Sequence, residues 1–236
     1  MIENLFDKIK RKIIITGHYG SGKTEFAISL IMRLAQQHIE NKPSLAIIDL
    51  DIVNPYFRSQ EKRELLEEAG IAVYGSMYKT EITAELPALS ANIRAPLEND
   101  SCRVIIDAGG NDAGALVLNQ FSKYFKDDET TVLTIVNANR PDTSDIDGIT
   151  EHITAIEKIT KLFITSIVNN THMLRETTAA DILHGHMLCK KISETTGKNL
   201  LCDCYPDGIV DPHELKGFSE DLMPLGLYMR PTWLDK

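Results

Sequence analysis

Gly17-His18-Tyr19-Gly20-Ser21-Gly22-Lys23-Thr24 decides how the rest of this chain is read. The stretch satisfies G-x-x-x-x-G-K-[ST] and follows an apolar, β-branched run over 12–16. It opens a segment with Phe26, Leu30, Ile31 and Leu34 at helical spacing. A strand, a glycine-rich turn and a helix in that order form a cradle for phosphate. Glycines let backbone N–H groups curl around a β-phosphate, and the helix start adds partial positive charge. Lys23 supplies a cation for the β- and γ-phosphates, and the Thr24 hydroxyl is a ligand for Mg²⁺. The expected contacts are Gly20, Ser21, Gly22, Lys23, Thr24 and Glu25. A plain glycine-rich turn would not need Lys-Thr after its last glycine.

Outward from this loop, apolar runs at 45–50, 71–74, 103–107, 131–136, 162–168 and 199–204 read as strands. Continuous apolar runs of this kind suit strands buried on both faces. Helix-period segments separate them at 23–38, 58–69, 86–98, 114–125, 144–159 and 176–196. Gly70 and Gly197 stand where helix-ending glycines belong. This alternation predicts an α/β three-layer sandwich: a mainly parallel sheet of about seven strands, flanked by helices and joined by right-handed crossovers. No repeat, low-complexity tract or linker divides the chain, so 1–236 reads as one nucleotide-binding domain.

Ligands of open α/β sheets bind beyond the carboxyl ends of the strands, and three acids fall there. Asp49 and Asp51 close the 45–50 run; Asp107 closes Val104-Ile105-Ile106-Asp107 and leads into Ala108-Gly109-Gly110. An apolar strand ending in Asp suits a Mg²⁺ site beside a phosphate loop. Asp49 and Asp51 share a face if the strand persists, so one would bind the metal while the other orients water. Helix capping ahead of Pro55 is the other use open to them.

Composition narrows the classes. The chain has 236 residues, 43% hydrophobic and 25% charged, the balance of a globular protein. Its 25 Lys and Arg against 34 Asp and Glu leave a net charge of −9, which disfavours non-specific binding to nucleic acid or anionic lipid. No apolar run reaches the 18 or so residues of a membrane span. The N-terminus carries early acids and no apolar core of a secretory signal. Four cysteines without a framework spacing fit a reducing cytoplasm.

With these residues in view, the chain resembles the MinD/ParA/CobQ-type nucleotide-binding family, a branch of the P-loop NTPases. The resemblance runs from the phosphate loop to about Asp207. It implies ATP and Mg²⁺ as cofactors, with Thr24, Asp49 and Asp107 at the metal. It implies Asp51 as the residue assisting attack by water, beside Lys23, and Asp107 and Gly110 as sensors of the γ-phosphate. Asn169-Asn170 resembles the family's strand end that touches adenine, and Tyr205-Pro206-Asp207 its proline-containing turn lining the base pocket. Asn also ends strands simply as a turn former. The guanine-binding pattern N-K-x-D finds neither its Lys nor its Asp in Asn169-Asn170-Thr171-His172, which favours ATP over GTP. At the position of the signature lysine of the deviant-loop subgroup stands His18, which offers no fixed positive charge. Arg58, Arg94 or Arg140 would be substitutes for it.

Two functions fit this reading. One is a Mg-dependent ATPase acting as a nucleotide switch on a protein partner or a second copy of itself, with metallocentre maturation as one such task. The alternative is an ATP-coupled small-molecule enzyme of amidating or ligating type, using Glu81, Glu85 and Arg94 of 76–97. Cys202 and Cys204 share a strand face and would bind a metal across a dimer, or else are two small buried residues. His184-Gly185-His186 lacks further ligand spacing. The tail 222–236 has few cations and two prolines, unlike a membrane-targeting helix.

Overall fold

The computed structural model describes residues 2–37, 43–51, 62–75, 86–110, 112–126, 128–219 and 221–229. Eight strands form one sheet: β1 (Lys12–Gly17), β2 (Ser44–Asp49), β3 (Ile71–Tyr74), β4 (Cys102–Asp107), β5 (Thr130–Val136), β6 (Ser166–Asn169), β7 (Asn199–Pro206) and β8 (Leu222–Leu225). Their order is β3-β2-β4-β1-β5-β6-β7-β8, and every neighbouring pair is parallel. Among the described residues α1 (Ile2–Asp7) precedes the sheet, and six helices join successive strands from β1 to β7: α2 (Lys23–Gln36), α3 (Arg63–Glu68), α4 (Leu86–Glu98), α5 (Asp112–Asn119), α6 (Ile146–Thr160) and α7 (Ala179–Thr196).

The strands are buried on both faces, yet their alternation still sorts side chains into two cores. Ile13, Ile15, Ile47, Ile105 and Ile135 pack with Phe26, Leu30 and Leu34 of α2, Leu5 of α1 and Leu66 of α3. Ile14, Ile48, Val104, Ile106 and Val132 pack on the other face with Ile93 of α4, Leu118 of α5, Ile153 of α6 and Ile192 of α7. This is the expected three-layer sandwich. Gly70 and Gly197 do end α3 and α7 in left-handed conformations, with φ of 77° and 72°.

Several boundaries differ for identifiable reasons. The chain joins β6 only at Ser166, because side chains take the backbone bonds just before it: Glu157 accepts from the Ile164 N–H and Lys198 donates to the Ile164 carbonyl. The 114–125 segment splits after Asn119, whose side-chain amide donates to the Ile159 carbonyl at 2.8 Å. A short 3-10 turn at Ser122–Tyr124 follows. The helix expected from 176 begins at Ala179, behind a reciprocal Thr178–Asp181 capping box. The eighth strand reads poorly in sequence because of Pro224, which is tolerated only because β8 is an edge strand. Arg58, Glu81, Glu85 and the tail beyond 229 lie outside the described residues. Among the described residues no helix is long and apolar enough to cross a membrane.

Candidate nucleotide site

The strand order puts β1 between β4 and β5, with β2 beyond β4 and β6 beyond β5. Because all are parallel, their carboxyl ends share one rim, where an open α/β sheet binds its ligand. The phosphate loop, Asp49 to Asp51, Asp107 to Gly110, the turn after β5 and Asn169-Asn170 all emerge there.

The loop is built for a close backbone approach. Gly17, Gly20 and Gly22 have φ of 148°, 75° and 84°, a region L side chains rarely adopt. Gly22 is the N-cap of α2 and gives the helix no side-chain cap. By contrast, Asp145 caps α6 by accepting the Gly148 N–H at 2.9 Å, and Thr178 caps α7. The α2 start is therefore left open, as an anion-binding helix start requires. Lys23 is buried at its first position, with Nζ donating to the loop's own His18 carbonyl at 3.3 Å. Burial pushes its pKa down, and the charges of Asp107 and Asp51 oppose that shift.

Asp49 and Asp107 are register partners on β2 and β4, with the strand parity of Ile47 and Ile105, so both face the α2 side. The Asp49 carboxylate accepts the Asp51 N–H at 3.1 Å, which turns the chain and buries Asp51 at the rim. Asp107 is fully buried, and neither of its carboxylate oxygens has a hydrogen-bond partner among the described residues. Burial pushes its pKa up to about 6; the nearby Thr24 hydroxyl, short of bonding geometry, and the Lys23 charge hold it from rising further. Two orphaned carboxylate oxygens beside a threonine hydroxyl fit a hard divalent cation. No three of His, Cys, Asp and Glu converge among the described residues. Thr24 and Asp107 would thus share a Mg²⁺ with nucleotide oxygens and water, the usual manner for that ion.

Gly110 closes the rim. A Cβ there would stand 1.7 Å from the Gly17 carbonyl oxygen and 3.2 Å from Lys23 Nζ, so only glycine fits against the loop.

The remaining expected contacts have other partners. Both oxygens of Glu25 hold the backbone N–H groups of Tyr228 (2.5 Å) and Met229 (2.8 Å). Asn169 is fully buried; its amide donates to Asp203 (2.6 Å) and the Ile182 carbonyl (3.0 Å), and its oxygen accepts from Thr171 N–H and hydroxyl. Asn170 donates to the Ser21 carbonyl at 2.7 Å and so braces the phosphate loop itself. Pro206 ends β7, and Asp207 pairs with Arg33, ten residues along α2 from Lys23 and so roughly 15 Å away along the axis. Cys202 and Cys204 lie in the core on the α2 side, and burial raises the Cys204 thiol well above its ordinary range. His186 pairs with the buried Asp203 at 2.8 Å.

Two histidines the sequence did not single out flank the loop. His152 of α6 packs edge-on against His18, with ring centroids 5.6 Å apart, and burial with the His18 and Lys23 charges lowers its pKa to about 4. His172 is lowered to about 4 by burial and then by Arg140, and its Nδ1 accepts the Leu174 N–H at 3.3 Å. Between pH 6.5 and 4 the unfolded chain therefore binds more protons than the folded one, and stability falls as pH falls through that window. Each histidine accounts for up to about 3 kcal/mol. His172→Asn, which keeps an acceptor for Leu174, is expected to restore about 2 kcal/mol at pH 4 relative to pH 7. Urea unfolding at a series of pH values measures this; an unchanged profile would show that His172 titrates normally.

No protein-family profile matches the chain, and no curated protein matches it. Among solved structures it is similar to FtsY from Mycoplasma mycoides, with a TM-score of 0.54 and 15% identity over 80% of this chain and 57% of that one. It is also similar to the signal recognition particle receptor FtsY from Elizabethkingia anophelis, with a TM-score of 0.50 and 15% identity over 84% and 62%. The chain thus spans little more than half the length of these structures. With eight parallel strands in the order above and the phosphate loop following the central one, the chain has the α/β fold of the P-loop NTPases.

Proposed function

We propose that this chain is a Mg²⁺-dependent nucleoside triphosphatase acting as a nucleotide switch, with ATP as its nucleotide. One observation carries the reading: an uncapped helix start, buried Lys23 and the unpartnered, fully buried Asp107 converge at one point. Such a site is costly to the free protein and is compensated by a bound anion with its cation. Thr24 and Asp107 would hold Mg²⁺, with Asp49 beside them. When bound, that ion offsets charge on the phosphate oxygens. Lys23 leaves the His18 carbonyl for a phosphate oxygen, and the open N–H groups of α2 take the others. Asp51 accepts a hydrogen bond from water and orients it for in-line attack. Gly110, pressed on Gly17 and near Lys23, transmits the terminal phosphate's presence to α5, which follows it.

The preference for adenine rests on the turn after β6. A guanine site offers a carboxylate to two donors of the base edge. His172 stands in that place, with Nδ1 already accepting from Leu174, and offers no such pair of acceptors. The target is a protein partner or a second copy of the chain, in a reducing cytoplasm where the four free, buried cysteines are at home.

Phosphate release by the purified protein with Mg-ATP or Mg-GTP, with and without a chelator, tests the reading. Chelator-sensitive turnover with ATP preferred at least tenfold is expected. A preference for GTP overturns the base assignment, and absence of binding to either overturns the function. Light scattering of Asp51→Ala with Mg-ATP and then Mg-ADP asks about the target: a mass doubled only by ATP identifies a second copy.

A further inference from the structure

The turn after β5 closes over the phosphate loop from outside, and nothing in the phosphate-loop pattern calls for it. Asn137, fully buried at the end of β5, organises the turn. Its carbonyl accepts from the Arg140 N–H (3.1 Å) and the Thr143 hydroxyl (2.7 Å), and its side-chain oxygen accepts from the Asn139 N–H (3.0 Å) and the His172 N–H (3.3 Å). The Thr143 N–H returns to the Arg140 carbonyl at 3.0 Å. Arg140 is thereby set over Gly20, and its Nε donates to the Gly20 carbonyl at 3.1 Å. A Cβ at Gly20 would stand 3.1 Å from that same Nε, so a side chain there would press the guanidinium a few tenths of an ångström off the loop. A second link joins turn and loop, His18 Nε2 to Asp142 at 3.8 Å.

A trans peptide unit is planar, so pinning a carbonyl fixes the following N–H on the opposite side. Asn170, on the Ser21 carbonyl, in this way aims the Gly22 N–H. Arg140, on the Gly20 carbonyl, keeps that same peptide unit in the turn that its Ser21 N–H closes on the His18 carbonyl at 3.1 Å. The His18 carbonyl is also where Lys23 rests. A loop already held in its anion-binding shape loses little entropy when phosphate arrives, and a charged donor holds more firmly than a neutral one.

We propose that Arg140 is a positioning residue for phosphate binding: it holds the Gly20–Ser21 peptide in the loop's anion-binding form and brings a guanidinium charge to its rim. The assignment rests on the nucleotide reading above. Because the loop's shape serves ground state and transition state alike, losing the brace weakens binding and leaves the chemical step nearly untouched.

Isothermal titration of the unmodified protein, Arg140→Ala and Arg140→Lys with Mg-ATP and Mg-GTP tests it, alongside steady-state turnover and melting of each free protein. Arg140→Ala is expected to weaken binding of the preferred triphosphate about tenfold and to raise KM by the same factor, with kcat within about twofold. Arg140→Lys, which keeps a charged donor, is expected to recover at least half of the loss on a logarithmic scale, with all three melting temperatures within about 2 °C. Affinity of Arg140→Ala within twofold of the unmodified protein overturns the proposal alone. So does an equal loss in both variants together with a drop in melting temperature, which would make Arg140 a fold contact only. Absence of binding by the unmodified protein overturns the nucleotide reading and this proposal with it.

Discussion

Lys23→Ala is expected to weaken binding of Mg-nucleoside triphosphate by at least about a hundredfold, roughly 2.7 kcal/mol. Lys23 is buried, and its Nζ rests on a backbone carbonyl of the loop that would receive the phosphates. Two carboxylates, Asp107 and Asp51, pull on the same ammonium. Replacing it leaves those acids facing an incoming polyanion with no cation from the chain between them. Removing one partner of a buried charge-assisted contact costs about 3–5 kcal/mol, so a hundredfold is a lower bound. The free protein is a different matter. Lys23 is itself penalised by burial, so its loss removes one cost while adding another at Asp107. Lys23→Met, which refills the volume of the alkyl stem, separates packing from charge: both variants are expected to lose binding alike, and Met to melt closer to the unmodified protein. Titration calorimetry with Mg-ATP and Mg-GTP reads the effect. Affinity within threefold of the unmodified protein would remove the phosphate loop from the function.

The site was legible in the sequence where chemistry is local and opaque where it depends on neighbours. The loop, its strand and its helix lie within 12–36 and announce themselves by spacing. Asp49 and Asp107 were found as strand ends, but that they stand side by side follows from β2 pairing with β4, and no local pattern states that pairing. Glu25 is adjacent to Thr24 in sequence, yet the helix turns it toward residues 228 and 229, more than two hundred positions away. Asn169 and Asn170 stand at the carboxyl end of β6, on the same rim as the loop. Their amides, however, are spent on a buried polar network and on the loop's back, because β6 reaches β1 across β5. Arg140 stands in the sequence reading as one of three substitutes for the cation that His18 lacks. Which of the three meets the loop depends on the turn after β5 that Asn137 organises, and no local pattern states that turn.

Asp107→Asn is expected to move stability and metal dependence in opposite directions. In the free protein burial pushes the pKa of this carboxyl, both of whose oxygens are unpartnered, from the ordinary 3.8 up to about 6. Between those values the folded chain binds more protons than the unfolded one, so this group lowers stability as pH rises through the window and keeps the full penalty above it. A displacement of about two units corresponds to roughly 3 kcal/mol. Asparagine is isosteric and uncharged, so the free variant is expected to gain about 2–3 kcal/mol at pH 7. That gain should fade below about pH 4, where the native carboxyl is protonated in both states. With nucleotide present the sign reverses. The amide is a poor ligand for Mg²⁺ and leaves Lys23 without its nearest counter-charge, so nucleotide affinity is expected to stop responding to Mg²⁺ while the free protein melts higher. A merely structural aspartate would give only the first half of this result, and a metal ligand without a burial penalty only the second. Denaturant unfolding at pH 4 and pH 7, with titrations in Mg²⁺ and in chelator, reads both. A variant less stable than the unmodified protein at pH 7 would mean that Asp107 is paired in the free protein, and the case for a cation between it and Thr24 would fall with its orphaned oxygens.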